Sequence, residues 1–145
     1  MKLKLSEKET NAWVGFIKSE QMLIKKIEDE FKKNKFPPLS WYDILLELDK
    51  SENGSLRLND IGKKVLLNKY SITRLIERME KDGLVSKETC PVDGRGKFAC
   101  ITDKGKKIRK KMWPVYYNVI KENFLSKFSK DELDEFSTCI SKIIS

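Results

Sequence analysis

The sequence contains no histidine among its 145 residues. Histidine is the side chain that most often acts as a general base near neutral pH, and it is the commonest transition-metal ligand. Without it, a base would have to be a carboxylate, a lysine or a cysteine. The chain also has no nucleophile elbow, phosphate-binding loop or metal-ligand spacing. We therefore expect no enzyme, no metal and no other cofactor.

Cysteine is scarce as well, because only Cys90, Cys100 and Cys139 are present. An odd and sparse set does not predict a disulfide framework, and without histidine or Cys-x-x-Cys it does not predict a zinc site. Cys90 and Cys100 are equally distant from Arg95, so a symmetrical hairpin would place their thiols across from each other as a redox pair. The alternative is ordinary packing of small buried side chains.

Long apolar runs are also missing. No run approaches the roughly 20 residues that a membrane-spanning helix needs, and the N-terminus lacks the apolar core of a signal peptide. We therefore expect a cytoplasmic protein without a membrane partner. The length and the 39% apolar content predict one structural domain with a substantial core.

The positive charge, by contrast, is abundant and unevenly placed. From residue 55 to residue 112 there are 16 Lys and Arg against 7 Asp and Glu, an excess of +9, which leaves −1 for the rest of a chain whose total is +8. Concentration of the excess in one segment is typical of a surface that binds phosphates. The alternative is a solvated basic surface without a polyanionic partner.

The pattern of that basic segment predicts a winged helix-turn-helix. Its pattern is a short strand at 55–57, helices at 58–65 and 68–82, and a hairpin with strands at 85–90 and 97–101. Ile72, Leu75, Ile76 and Met79 give the second helix an apolar face, and the opposite face carries polar and cationic residues, as a helix entering a DNA major groove would need.

The flanking helices are predicted from caps and apolar stripes. Ser6 opens a capping box for a helix to Lys33, Ser40 caps a helix at 41–49, Thr102 caps a helix to about Lys127 with a kink or break at Pro114, and Ser129 opens the last helix. The expected fold is mostly α with a small β-hairpin wing. The expected parts are an N-terminal dimerisation helix (1–39), a DNA-binding region (40–102) and C-terminal dimerisation helices (103–145).

The central segment resembles the MarR family of bacterial transcription regulators. The resemblance is carried by Leu58-Asn-Asp-Ile-Gly, by the run from Ser71-Ile-Thr-Arg to Asp82-Gly-Leu-Val, by Asp93-Gly-Arg and by Ile101-Thr-Asp-Lys-Gly. It is close over residues 40–112. It implies a homodimer that binds a pseudo-palindromic operator in double-stranded DNA, usually as a repressor that a small aromatic or anionic effector releases.

The predicted DNA contacts come from the second helix and the wing. Ser71, Thr73 and Arg74 match family positions that touch DNA, and Arg95 matches the wing arginine that enters the minor groove. Arg78 either meets phosphate or pairs within its helix, and Tyr70 either packs or bonds a phosphate. The full set is Lys69, Tyr70, Ser71, Thr73, Arg74, Arg78, Lys87, Arg95 and Lys97.

An effector pocket is predicted by the resemblance where the terminal helices would meet the DNA-binding region. The residues assigned to it are Trp13, Trp41, Tyr42, Met112 and Tyr116. The alternative for these side chains is plain core or dimer contact. Two alternatives for the whole protein are an architectural protein that binds DNA without sequence preference and a winged helix that docks a partner protein.

Overall fold

The computed structural model describes residues 3–65, 71–89 and 97–145. Within these ranges the elements are α1 (Glu7–Lys33), α2 (Leu39–Lys50), β1 (Ser55–Arg57), α3 (Leu58–Lys64), α4 (Ile72–Lys81), β2 (Val85–Thr89), β3 (Lys97–Ile101), α5 (Asp103–Asn123), a 3-10 turn (Leu125–Lys127) and α6 (Lys130–Ile144). This order confirms the predicted fold class of a mostly helical chain with a small β wing.

The chain forms two compact units. Residues 31–114 are the winged-helix unit, and residues 1–30 with 115–145 are the terminal-helix unit. The functional division proposed from the sequence, with boundaries at residues 39 and 102, stays a prediction. None of the described helices is long and apolar enough to cross a membrane.

The core of the winged-helix unit is built by α2, α3, α4 and the sheet. Leu45, Leu48, Ile61, Ile76 and Met79 are completely buried in it. The two α4 residues lie three positions apart and therefore point to the same side of the helix. This burial holds α4 by its apolar face, as its periodicity predicts, and turns its polar face outward.

The three strands form an antiparallel sheet in the order β1-β3-β2. Ser55 lies opposite Cys100, so the strand predicted at 55–57 is present and pairs with β3 at the base of the wing. On the other side of β3, Cys100 lies opposite Ser86. Since the hairpin is not symmetrical about Arg95, the prediction that Cys100 faces Cys90 is wrong. Cys90 itself lies outside the described residues.

Both predicted capping boxes are present. The Ser6 and Glu9 pair exchanges backbone-to-side-chain hydrogen bonds of 2.8 and 3.1 Å, and Ser129 and Glu132 do the same at 2.9 and 3.2 Å. Each box satisfies amides that the first helical turn leaves without partners. The helices α1 and α6 therefore begin where the sequence predicts.

Three predicted helix limits need correction. Ser40 does not cap α2, because Pro38, with a φ of −62° suited to proline, occupies the N-cap and Ser40 is buried inside the helix. The helix α5 continues through Pro114, so of the predicted kink or break the break does not occur, and the helix ends at Asn123 rather than Lys127. Ser71 is the N-cap of α4, whereas the predicted start of this helix at residue 68 lies outside the described residues.

A tight junction joins the end of α4 to the start of α5. The Thr102 hydroxyl donates to the Gly83 carbonyl at 2.6 Å and accepts from the Gly105 amide at 3.0 Å. Gly83 has a φ of 78°, the left-handed conformation that glycine tolerates best. A Cβ at Gly105 would collide with the Leu84 carbonyl and lie 2.9 Å from Ile101 Cγ1. We call these residues, 83–84 with 102 and 105, the α4–α5 junction.

In the terminal-helix unit, aromatic packing fixes the C-terminal elements. The rings of Phe124, Phe128 and Phe136 lie 5.5 to 5.7 Å apart, centroid to centroid. Lys26 Nζ of α1 donates to Asn123 Oδ1 of α5 at 2.8 Å. Several large apolar side chains of this unit nevertheless stay exposed: Trp13, Val14, Phe16, Ile17, Met22, Tyr117, Phe136, Ile143 and Ile144.

The variant Gly105→Ala tests the α4–α5 junction. The added methyl group meets a backbone carbonyl that cannot give way, so we expect the free energy of unfolding to fall by about 1–3 kcal/mol. Urea denaturation followed by circular dichroism measures this change. The control is Gly62→Ala in α3, whose Cβ would make only an ordinary 3.5 Å contact with Ile72 and should be neutral or slightly stabilising. Equal stability of both variants would contradict the predicted collision.

Candidate nucleic-acid interface

The outward face of α4 carries the predicted recognition residues. Thr73, Arg74 and Arg78 are exposed, as is Ser71 at the N-cap. The opposite face is anchored in the core, so these side chains project from a helix that cannot rotate without unburying apolar groups. The arrangement presents hydrogen-bond donors at one helical surface, which is the geometry that reads base edges in a major groove.

Neither arginine of this face is neutralised within the described part of the chain. Arg74 and Arg78 form no ion pair with a described carboxylate, and the predicted alternative for Arg78, a pair with Glu77 or Asp82, is not formed. Arginine donors that lack a protein partner are free to bond bidentately to guanine or phosphate. Both guanidinium groups therefore remain available to an anionic ligand.

Lys87 is held differently. Its Nζ lies 3.8 Å from Glu77 Oε1, and its backbone amide donates to Glu80 Oε2 at 3.1 Å. The Lys87 side chain is 22% exposed and that of Glu77 is 54% exposed, so the pair contributes little stability. The contact places a negative charge on the same helical face as the two arginines, and that charge would compete with a phosphate for Lys87.

At the wing, the sheet brings together a pair that sequence reasoning missed. Arg57 of β1 lies opposite Phe98 of β3, and its guanidinium carbon is 5.4 Å from the centre of the Phe98 ring. A cation–π contact of this kind orients the cation beside the strand. The only signal in the sequence is a basic residue in a short strand, and the strand register was needed to find its partner.

Lys97, at the start of β3, is exposed as a phosphate contact requires.

Three predicted contacts, Lys69, Tyr70 and Arg95, lie outside the described residues and stay predictions. The residues assigned to an effector pocket are divided between the two units. Trp13 and Tyr116 belong to the terminal-helix unit, where Trp13 is 61% exposed. Trp41, Tyr42 and Met112 belong to the winged-helix unit. A pocket that combines all five stays a prediction.

Within the winged-helix unit, Tyr42 and Met112 are core residues. Tyr42 is 2% exposed and stacks on Trp113 with centroids 6.5 Å apart, and Met112 is completely buried. Burial raises the pKa of the Tyr42 hydroxyl, and nearby Arg109 partly offsets the increase. Arg109 is itself fixed by a 2.6 Å hydrogen bond from Nε to Asp49 Oδ2, which links α5 to α2.

Cys100 has an environment that disfavours the reactive thiolate. Its partial burial raises the pKa of the thiol, and the Glu88 carboxylate raises it further. Since the thiolate is the nucleophile in oxidation and disulfide exchange, a raised pKa slows both reactions at neutral pH. The environment of Cys100 therefore favours the packing interpretation over redox sensing.

Known proteins with a similar sequence are transcription regulators of the helix-turn-helix type. Residues 37–96 match the sequence model of the MarR family. The chain is 33% identical over 89 residues to the uncharacterized HTH-type transcriptional regulator YkoM of Bacillus subtilis, a match that covers 61% of this chain and 57% of YkoM. The chain thus spans little more than half the length of the curated relatives that it matches.

Two solved structures share the fold over nearly the whole chain. The MarR family regulator AbsC of Streptomyces coelicolor is 26% identical with a TM-score of 0.88, covering 99% of this chain and 96% of AbsC. The MarR family regulator Sco3205 of the same organism, solved in complex with DNA, is 21% identical with a TM-score of 0.90, covering 97% of this chain and 92% of Sco3205.

The variant Glu77→Gln tests the charge balance of the α4 face. Removing the carboxylate frees Lys87 and lowers the repulsion of phosphates, so we expect affinity for duplex DNA to rise about two- to fivefold at low salt. Fluorescence anisotropy of a labelled duplex measures the change. Glu20→Gln, at an exposed position of α1, gives the same net charge and should alter affinity by less than about twofold. An equal increase in both variants would show that only the net charge matters.

Proposed function

Because residues 37–96 match the sequence model of the MarR family, we propose that the protein is a homodimeric transcription regulator of this family that binds a specific pseudo-palindromic site in duplex DNA. The observation that carries the proposal is the exposed α4 face, whose Arg74 and Arg78 have no carboxylate partner among the described residues. We further propose that it acts as a repressor and that a small aromatic or anionic effector releases it from DNA.

Charge and geometry together support duplex DNA as the partner. The +9 excess between residues 55 and 112 lies in the segment that contains α4 and the wing. A basic surface around a helix of major-groove size supplies both phosphate attraction and base readout. The fold is compatible with such a complex, since Sco3205, a protein of the same fold, was solved bound to DNA. Arg74 is the proposed base-reading residue, and Arg95 is the proposed minor-groove contact.

A second copy of the chain is proposed as the other partner. The terminal-helix unit contains a groove of about 960 Å³ between α1 and the C-terminal elements, lined mainly by apolar side chains such as Phe16, Met22, Phe128 and Ile143. Met22 is 57% exposed and Ile143 is 68% exposed in the single chain. Burying this surface in a two-fold symmetric interface would remove it from water and would bring two copies of the DNA-binding region into one molecule.

Variants of the two reading arginines test the DNA proposal. We expect the wild-type protein to prefer duplex from its own upstream region over random duplex by about 10³-fold or more in anisotropy titrations across a salt series. Arg95→Ala should weaken binding to that site, whereas Arg74→Ala should also relax the preference at one base pair, a loss of about 1–3 kcal/mol of discrimination.

Three results would contradict the DNA proposal, and each points to a different explanation. Equal losses on cognate and random duplex from both variants would contradict the assigned roles. Equal, salt-sensitive binding of both duplexes by the wild type would favour an architectural protein, and no binding at low salt would favour a protein partner.

The variant Met22→Glu tests the dimer proposal. A carboxylate in an apolar interface would lose its hydration without a partner, so we expect the dimer dissociation constant to rise at least about tenfold in sedimentation equilibrium. Lys18→Glu, also on α1 but outside the groove lining, should leave the dimer intact. Dimers of unchanged affinity in Met22→Glu would show that the groove is not the interface.

A further inference from the structure

A second cavity, of about 800 Å³, lies within the winged-helix unit. Its walls come from the connection between α1 and α2, from the C-terminal end of α4, and from the first half of α5. Apart from Trp41, its lining residues belong neither to the predicted DNA contacts nor to the predicted effector residues. We call it the basic pocket.

The pocket is strongly cationic. Its described lining includes five lysines, namely Lys35, Lys81, Lys104, Lys107 and Lys111, against one carboxylate, that of Asp82. The three α5 lysines are spaced three and four residues apart, so they occupy one side of the helix. Like charges that converge on one concave surface raise its positive potential and attract anions.

These charges are hardly compensated within the protein. Lys104 Nζ donates to the backbone carbonyl of Asp82 at 2.7 Å. Lys35, Lys81, Lys107 and Lys111 form no ion pair with any described carboxylate. Their ammonium groups can therefore bind an incoming anion without first breaking an internal salt bridge.

The other wall of the pocket is apolar and fixed. Trp41 and Ile108 line it and are partly buried against the core cluster of the unit. Phe36 also lines it, and its position is set by an edge-on contact with buried Phe31, centroids 6.1 Å apart, and by a 2.8 Å hydrogen bond from its amide to the Phe31 carbonyl. A rigid aromatic wall suits a flat ring, because stacking then orders few additional groups.

From this combination, we propose that the basic pocket binds a small molecule that carries at least two negative charges on a flat aromatic body, the chemical class to which nucleotides belong. The ring packs on the wall of Phe36, Trp41 and Ile108. The anionic groups bind Lys107 and Lys111, and lysine is a common ligand of phosphate. The cavity has the size of typical small-molecule sites.

Isothermal titration calorimetry without DNA tests this proposal, with adenosine diphosphate as the probe. We expect a dissociation constant below about 1 mM for the wild type. The double variant Lys107→Glu/Lys111→Glu should weaken binding at least about tenfold. The matched control Lys106→Glu/Lys110→Glu changes exposed α5 lysines that do not line the pocket and should alter the constant by less than about twofold.

Two simpler probes separate the contributions of charge and ring. Pyrophosphate carries the charge without the ring, and benzoate carries a ring with one charge, so both should bind at least about tenfold more weakly than adenosine diphosphate. Pyrophosphate binding as tight as that of adenosine diphosphate would overturn the proposal, as would equal weakening in both double variants or no heat at concentrations up to about 10 mM.

The same variants distinguish this pocket from a DNA surface. Loss of duplex binding in Lys107→Glu/Lys111→Glu with unchanged binding of adenosine diphosphate would show that the lysines serve DNA phosphates, which overturns the proposal. Because the calorimetric titration contains no DNA, its result does not depend on whether the protein regulates transcription.

Discussion

The α4–α5 junction is the constraint on which the winged-helix unit depends. One hydroxyl, that of Thr102, closes α4 by donating to the Gly83 carbonyl and opens α5 by accepting from the Gly105 amide. The Leu84 carbonyl accepts from the Thr102 amide at 3.1 Å, and the Leu84 amide donates to the Met79 carbonyl at 2.9 Å. The end of α4, the start of the wing and the start of α5 are thereby fixed to one another by backbone groups and the Thr102 hydroxyl.

Because the junction is fixed, the charges that surround it keep defined places. Arg74 and Arg78 project from α4, while Lys104 is bound to the Asp82 carbonyl at the end of that helix. The acidic side chains are placed selectively, since Glu77 pairs with Lys87 and leaves both arginines unpaired among the described residues. The net charge of the segment therefore resolves into two cationic surfaces, the α4 face and the basic pocket.

A different constraint acts on the terminal-helix unit, which has to bury a large apolar surface. Its aromatic cluster buries part of that surface internally. Exposed residues such as Trp13, Met22 and Ile143 remain along the groove. A second copy with the same surface is the partner proposed for it, because an isologous interface needs no complementary sequence elsewhere.

The sequence by itself determined those helix faces and helix starts that depend only on residues close by in the chain. Helical periodicity predicted the buried and exposed faces of α4, and the capping boxes at Ser6 and Ser129 predicted where α1 and α6 begin, because these patterns depend on neighbours within four residues. Local rules failed at Ser40, because Pro38, two residues earlier, takes the N-cap position. At Pro114 the helix α5 continues, so the predicted break is absent.

Only the tertiary structure decided the pairings between distant residues. The register that places Cys100 opposite Ser86, the contact of Arg57 with Phe98, and the pair of Lys87 with Glu77 each join separate elements. The basic pocket likewise collects lysines from residues 35 to 111. No local pattern encodes such contacts, because they follow from how buried apolar faces fix the helices and the sheet in space, after which the polar side chains bind whatever lies beside them.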